Sequence, residues 1–129
     1  MAVVLYIEDD LFNRILIRRI LSAEGHDVLE AGNADEALAV LFERAPDLIL
    51  MDINMPEVDG FTLTRQIKAN PTWRHVPVVA LTANVMKGDR ERVLQAGCDG
   101  YIQKPVDVDA LPRQIAAFLS PDLVERGEQ

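Results

Sequence analysis

The stretch Val3-Val4-Leu5-Tyr6-Ile7-Glu8-Asp9-Asp10 decides the fold, because five apolar residues run straight into three acids. A short apolar run without polar alternation is the pattern of a strand buried on both faces. Three further segments repeat the design. Leu48-Ile49-Leu50-Met51 leads into Asp52, Val78-Val79-Ala80-Leu81 into Thr82, and Tyr101-Ile102-Gln103 into Lys104-Pro105. In an open parallel sheet, ligands bind beyond the carboxyl ends of the strands. Four such strands therefore deliver carboxylates, a hydroxyl and an ammonium to one edge.

Working outward, strand patterns alternate with helix patterns. The spacing predicts strands over 2–8, around Val28-Leu29 and Ala31, and over 47–51, 77–81 and 99–102. The first helix is expected over 12–24, with Gly25 as its stop. The second starts at Asn33, a good N-cap, and carries Ala34, Ala37, Leu38, Leu41 and Phe42 on one stripe. The third follows the turn Pro56 to Gly60 and ends at Asn70-Pro71, and the fourth lies within 84–95, before Gly97. The last presents Leu111, Ile115, Phe118 and Leu119. Pro112 is tolerable only near a helix start, so Asp107 or Asp109 is its expected N-cap. Five β-α units imply an α/β, doubly wound parallel sheet in the order 2-1-3-4-5, with its switch point between strands 1 and 3. The Lys104-Pro105 bond is a candidate for a cis peptide. Trp73 is expected to pack locally in its loop, and His26 and His75 to be exposed.

Composition narrows the function. The chain has 129 residues, enough for one domain, and 13 basic against 21 acidic residues give a net charge of −8. Phosphate backbones need cationic neutralisation, so nucleic acid is not an expected partner. One cysteine, Cys98, excludes an internal disulfide and fits a small buried hydrophobe in a reducing cytoplasm. No basic stretch precedes the first apolar run and no segment is long enough to span a bilayer, so a cytoplasmic location without membrane contact is expected. Residues 120–129 read as a short polar tail.

The acids after strand 1 stand where a dinucleotide fold would carry a glycine-rich turn. Clustered carboxylates repel phosphate unless a cation lies between them. Mg²⁺ fits, since it takes one or two carboxylates and uses phosphate oxygens as further ligands, whereas zinc wants paired Cys/His spacing. Asp52 is a candidate phosphoryl acceptor. The Thr82 hydroxyl and the Lys104 ammonium are candidates for binding phosphoryl oxygens. Taken singly, a turn cap, a strand threonine and a surface lysine explain the same residues. Asp47 and Asp59 are weaker candidates, the first at the opposite sheet edge and the second in turn chemistry before Gly60.

Together these segments resemble a receiver domain of a two-component response regulator. The resemblance rests on Leu5 to Asp10, Asp47 to Pro56, Asp59-Gly60, Pro77 to Ala83 and Ala96 to Pro105, in this order and spacing. It implies a flavodoxin-like receiver fold over 1–119 and a phosphorelay switch rather than a turnover enzyme. Asp52 would take a phosphoryl group from a phosphohistidine on a sensor kinase or histidine phosphotransfer protein. Asp9 would ligate Mg²⁺ directly, Glu8 would hold a metal-bound water, and the backbone carbonyl of Asn54 would complete the protein's ligands. Thr82 and Lys104 would bind phosphoryl oxygens, and Thr82 with Tyr101 would form the switch pair. Asn54 and Asn84 stand where side chains tune hydrolysis of the phosphoaspartate. A downstream protein is expected at helix 4, strand 5 and helix 5, with Met86 and the helix-weakening Gly88, or around helix 1. The chain is expected to be a monomer or a phosphorylation-dependent homodimer, and a single-domain regulator or a receiver from a larger protein.

Three other readings compete. An aspartyl-phosphate phosphatase of the haloacid dehalogenase type wants a second Asp two residues after the nucleophile, and position 54 is Asn. A flavodoxin-like nucleotide or flavin binder wants uncharged loops after strand 1. A docking module of receiver fold would work without phosphorylation.

Overall fold

A computed structural model describes residues 2–53, 60–83 and 89–119. It contains strands β1 Val3–Ile7, β2 Asp27–Ala31, β3 Leu48–Asp52, β4 Val78–Thr82 and β5 Gly100–Gln103. They alternate with helices α1 Leu11–Ala23, α2 Ala34–Glu43, α3 Gly60–Ala69, α4 Asp89–Gln95 and α5 Leu111–Leu119. The sheet is parallel throughout, in the order β2-β1-β3-β4-β5. Asn54, Asp59, Asn84, Met86 and Gly88 lie outside the described residues.

The continuous apolar runs are explained by burial on both faces. Every residue of β3 and of β4 is buried. Because strand side chains alternate, Leu5, Ile7, Ile49, Met51, Val78 and Ala80 face one layer, which is closed by α2, α3 and α4. Val4, Tyr6, Leu48, Leu50, Val79 and Leu81 face the other, closed by Ile17 and Leu21 of α1 and by Leu111 and Ile115 of α5.

Local signals set the ends of the helices. Asp10 caps α1 by accepting from Phe12 N at 3.1 Å. Asn33 caps α2 by accepting from Glu36 N at 2.8 Å, while Glu36 Oε1 accepts from Gly32 N at 2.7 Å. After α1, His26 N bonds Leu21 O and Gly25 N bonds Ser22 O. After α4, Cys98 N bonds Val93 O and Gly97 N bonds Leu94 O. Both are Schellman ends, which need a left-handed residue; Gly25 and Gly97 supply it at φ 87° and 103°. Before α5, Asp107 Oδ1 accepts from Asp109 N and Ala110 N, so Asp107 makes the cap and Pro112 falls in the first turn.

Two expectations about apolar residues are revised. Phe42 is not part of the buried stripe of α2; it is 77% exposed, whereas Ala37 and Leu41 are fully covered. Trp73 does not stay within its own loop. It is buried and meets Phe42 edge-on at 5.0 Å between ring centroids. His75 is exposed, but His26 is half-buried and its Nδ1 accepts from Ala2 N at 3.3 Å. Cys98 is a buried free thiol, held protonated by burial.

Candidate functional site: an acidic cluster at the switch point

The site forms where β1, β3, β4 and β5 end. Ile7 pairs with Met51, so Glu8 and Asp52 stand side by side one step further along. Asp52 and Thr82 sit one position further into the sheet than expected, whereas Glu8, expected within the first strand, lies just past the end of β1. Asp52 and Thr82 are the last residues of β3 and β4, because backbone pairing still holds both: Ile53 N bonds Leu81 O just past Asp52, and Lys104 N bonds the carbonyl of Thr82 itself. A pleated end held by ladder bonds is a stiffer platform than a loop.

Glu8, Asp9 and Asp52 each offer a carboxylate oxygen, and these oxygens all lie within 4.8 Å of one another. Glu8 and Asp52 are buried and Asp9 is exposed. Asp10, the third acid of the opening stretch, is spent on capping α1. Lys104 reaches back from the end of β5, and its Nζ lies 2.9 Å from Asp52 Oδ1. The Lys104-Pro105 peptide is cis.

The electrostatics follow from this crowding. Burial, then the hydrogen bond and charge of Asp52 beside it, push the Glu8 carboxyl up to about 7, against the Asp10 N–H and Lys104, which pull it down. The Tyr6 hydroxyl, buried below Glu8, donates to Glu8 Oε1 at 3.1 Å. Burial and the neighbouring carboxylates keep that phenol protonated. Three carboxylates against one ammonium leave a formal −2, the charge one divalent cation balances. An all-oxygen donor set suits a hard cation such as Mg²⁺ better than zinc.

Thr82 is fully buried. Its register partner on β5 is Gln103, and Tyr101 stands two residues earlier, so Thr82 and Tyr101 lie on one face of neighbouring strands. Tyr101 is half-buried against the α2-α3-α4 layer. Asp47 lies at the opposite edge, where its Oδ2 accepts from Val3 N at 2.8 Å. A cleft of about 430 Å³ opens beside the cluster between α1 and the segment after β5. Tyr6 and Asn13 line it, and neither stood out in the sequence. The missed signal is the period of two that puts Tyr6 on the face of Glu8.

The family model of the response regulator receiver domain matches residues 4–116. The chain belongs to that family. Among curated relatives it is similar to the polar-differentiation response regulator DivK of Brucella anthropi, with 43% identity over 116 residues covering 90% of this chain and 94% of the relative. Among solved structures it is similar to chemotaxis response regulator CheY4 of Vibrio cholerae, with 26% identity and a TM-score of 0.86 over 92% of this chain and 99% of that one. It also matches the receiver domain of the sensor histidine kinase PA1611 of Pseudomonas aeruginosa, with 35% identity and a TM-score of 0.84 over 92% and 98% of the two chains. That structure holds a magnesium ion coordinated in its active-site cleft. The chain is thus a receiver of a two-component system, a family of phosphoacceptor signalling switches that work with histidine kinases and downstream effectors. Among the described residues no helix is long and apolar enough to cross a membrane.

Proposed function

We propose that Asp52 of this receiver accepts a phosphoryl group from a phosphohistidine on a sensor kinase or histidine phosphotransfer protein, at a Mg²⁺ site made by Glu8, Asp9 and Asp52. The observation that carries this reading is the surrounding of one buried carboxylate. Asp52 is 4% exposed, has Lys104 Nζ at 2.9 Å, and shares a 4.8 Å cluster with Glu8 and Asp9. In the transfer, an Asp52 oxygen attacks phosphorus and the phosphorus–nitrogen bond breaks. The imidazole leaves with the bonding electron pair and is protonated. Lys104 exchanges its bond to Asp52 for one to a phosphoryl oxygen, and the Thr82 hydroxyl donates to another. Bound Mg²⁺ would neutralise the charge that otherwise repels the incoming phosphate. From the family resemblance, the Asn54 backbone carbonyl is its further ligand, outside the described residues. The receiver unit is taken as residues 1–119, in keeping with the family match to 4–116.

Signal output is read as a change in partner affinity. A phosphoryl group that draws in the Thr82 hydroxyl vacates space on the face Tyr101 shares, and shifts a population between two packings. The surface so affected is α4, β5 and α5, the site proposed for the downstream protein. The face of α1 is the alternative, with Leu11, Phe12 and Leu16 at 59%, 71% and 37% exposed. Thr82→Ala is therefore expected to accept phosphate yet lose most of the affinity change. Partner binding measured in both phosphorylation states tests this, and full coupling in that variant would refute the switch. The reading as a whole is tested by incubation with acetyl phosphate and Mg²⁺ followed by intact mass. One added phosphoryl group per chain is expected; an unchanged mass would favour a docking module that works without phosphorylation.

A further inference from the structure

We propose that Tyr6 is a positioning residue for the cation site, its hydroxyl holding the Glu8 carboxylate in the orientation that Mg²⁺ binding needs. This rests on the reading of Glu8, Asp9 and Asp52 as a Mg²⁺ site. Tyr6 lies inside β1, paired with β2 on one side, at Glu30, and with β3 on the other, at Leu50. Its backbone is fixed at the centre of the sheet, and its ring is only 1% exposed in the layer beneath α1 and α5. The neighbouring inward positions Val4, Leu48 and Leu50 are aliphatic, so packing here has no use for an oxygen. A buried hydroxyl is costly without a partner, and this one donates to Glu8 Oε1 at 3.1 Å.

The period of two in β1 brings the pair together, since residues i and i+2 share a face. Glu8 is otherwise a long side chain at a strand end, repelled by Asp52 and Asp9 and bordered by the open cleft. Its other oxygen is a long 3.4 Å from Asp10 N, and its hydrogen bond with Asp52 needs a shared proton that a bound cation displaces. With that proton gone, the phenol is the shorter of the two tethers that remain. It engages one oxygen from below and leaves the carboxylate facing the cluster. Without it, water from the cleft takes its place and the side chain samples other rotamers. The cation then has to select the productive one, which weakens its binding.

Calorimetric titration with Mg²⁺ of wild type, Tyr6→Phe, Glu8→Ala and the double variant tests the role without any phosphorylation. Tyr6→Phe is expected to bind Mg²⁺ about tenfold more weakly, the low end of what losing a support of a metal ligand costs. In the Glu8→Ala background the same change is expected to have no further effect, because the hydroxyl acts only through Glu8. Tyr6→Leu separates positioning from packing: it is expected to melt well below Tyr6→Phe yet bind Mg²⁺ equally. In phosphorylation by acetyl phosphate, Tyr6→Phe is expected to need more Mg²⁺ for half-maximal rate and to reach the wild-type rate at saturation. Wild-type Mg²⁺ affinity in Tyr6→Phe, or a loss that persists beside Glu8→Ala, would overturn the tether while leaving the cation site standing. A wild type that binds no Mg²⁺ would overturn both.

Discussion

Asp52→Asn is expected to incorporate no acid-labile phosphate from either a small phosphodonor or a phosphorylated partner. A carboxylate oxygen can open the phosphorus–nitrogen bond and leave an acyl phosphate; an amide cannot. The fold is expected to survive the change. The two side chains are nearly isosteric, and the amide oxygen can still accept from Lys104, which lies 2.9 Å from Asp52 Oδ1. The cluster also loses one of its three negative charges, which relieves repulsion in the metal-free protein. Intact mass and thermal melting on the same sample check both parts. A variant that melts like wild type and labels fully would move the acceptor to another carboxylate.

Metal-free protein is expected to lose stability as pH rises from about 4.5 to about 7, and Mg²⁺ is expected to restore it. The sign follows from Glu8, whose carboxyl is raised from 4.5 to about 7 in the fold by burial and then by Asp52. The folded chain holds that proton more tightly than the unfolded chain. Its contribution is fully present below about 4.5 and is gone above about 7. Cation binding needs the deprotonated carboxylates, so Mg²⁺ competes with the proton. Its stabilisation is therefore small at pH 5 and largest at pH 8. At a hundredfold excess over its Kd, a ligand adds about 2.7 kcal/mol, on the order of 10 °C for a domain of this size. Melting curves across pH, with and without Mg²⁺, check the direction and the size. Asp9→Ala is expected to lose most of the shift, and an equal shift in that variant would remove Asp9 from the site.

Much of this arrangement was legible in the chain because burial on both faces leaves a plain mark. Leu48 to Met51 and Val78 to Leu81 carry no polar residue, and the first charged or hydroxyl side chain after each falls at the functional edge. The strand ends were off by one residue for a physical reason. Asp52 and Thr82 are polar, yet the backbone ladder runs past Asp52 and still includes Thr82. Phe42 and Trp73 were harder to read. A helical stripe shows which face of α2 is apolar, but not where the sheet beneath it stops. Phe42 is left largely exposed and meets Trp73 of a distant loop edge-on. The residue types alone do not separate Asp9 from Asp10; the family resemblance singled out Asp9, and the turn into α1 puts Asp9 in the cluster and makes Asp10 a cap. Tyr6 was hidden by being counted as one more apolar residue of its strand.

The central claim, that Asp52 is the phosphoryl acceptor of a Mg²⁺-dependent receiver, is tested most directly by locating the phosphoryl group chemically. Borohydride reduces an acyl phosphate of aspartate to homoserine, a stable mark that peptide mass spectrometry can place. After incubation with acetyl phosphate and Mg²⁺, homoserine is expected at position 52 alone, and at no position when Mg²⁺ is withheld. Homoserine at another acidic residue, or the same yield at position 52 without the cation, would contradict the account.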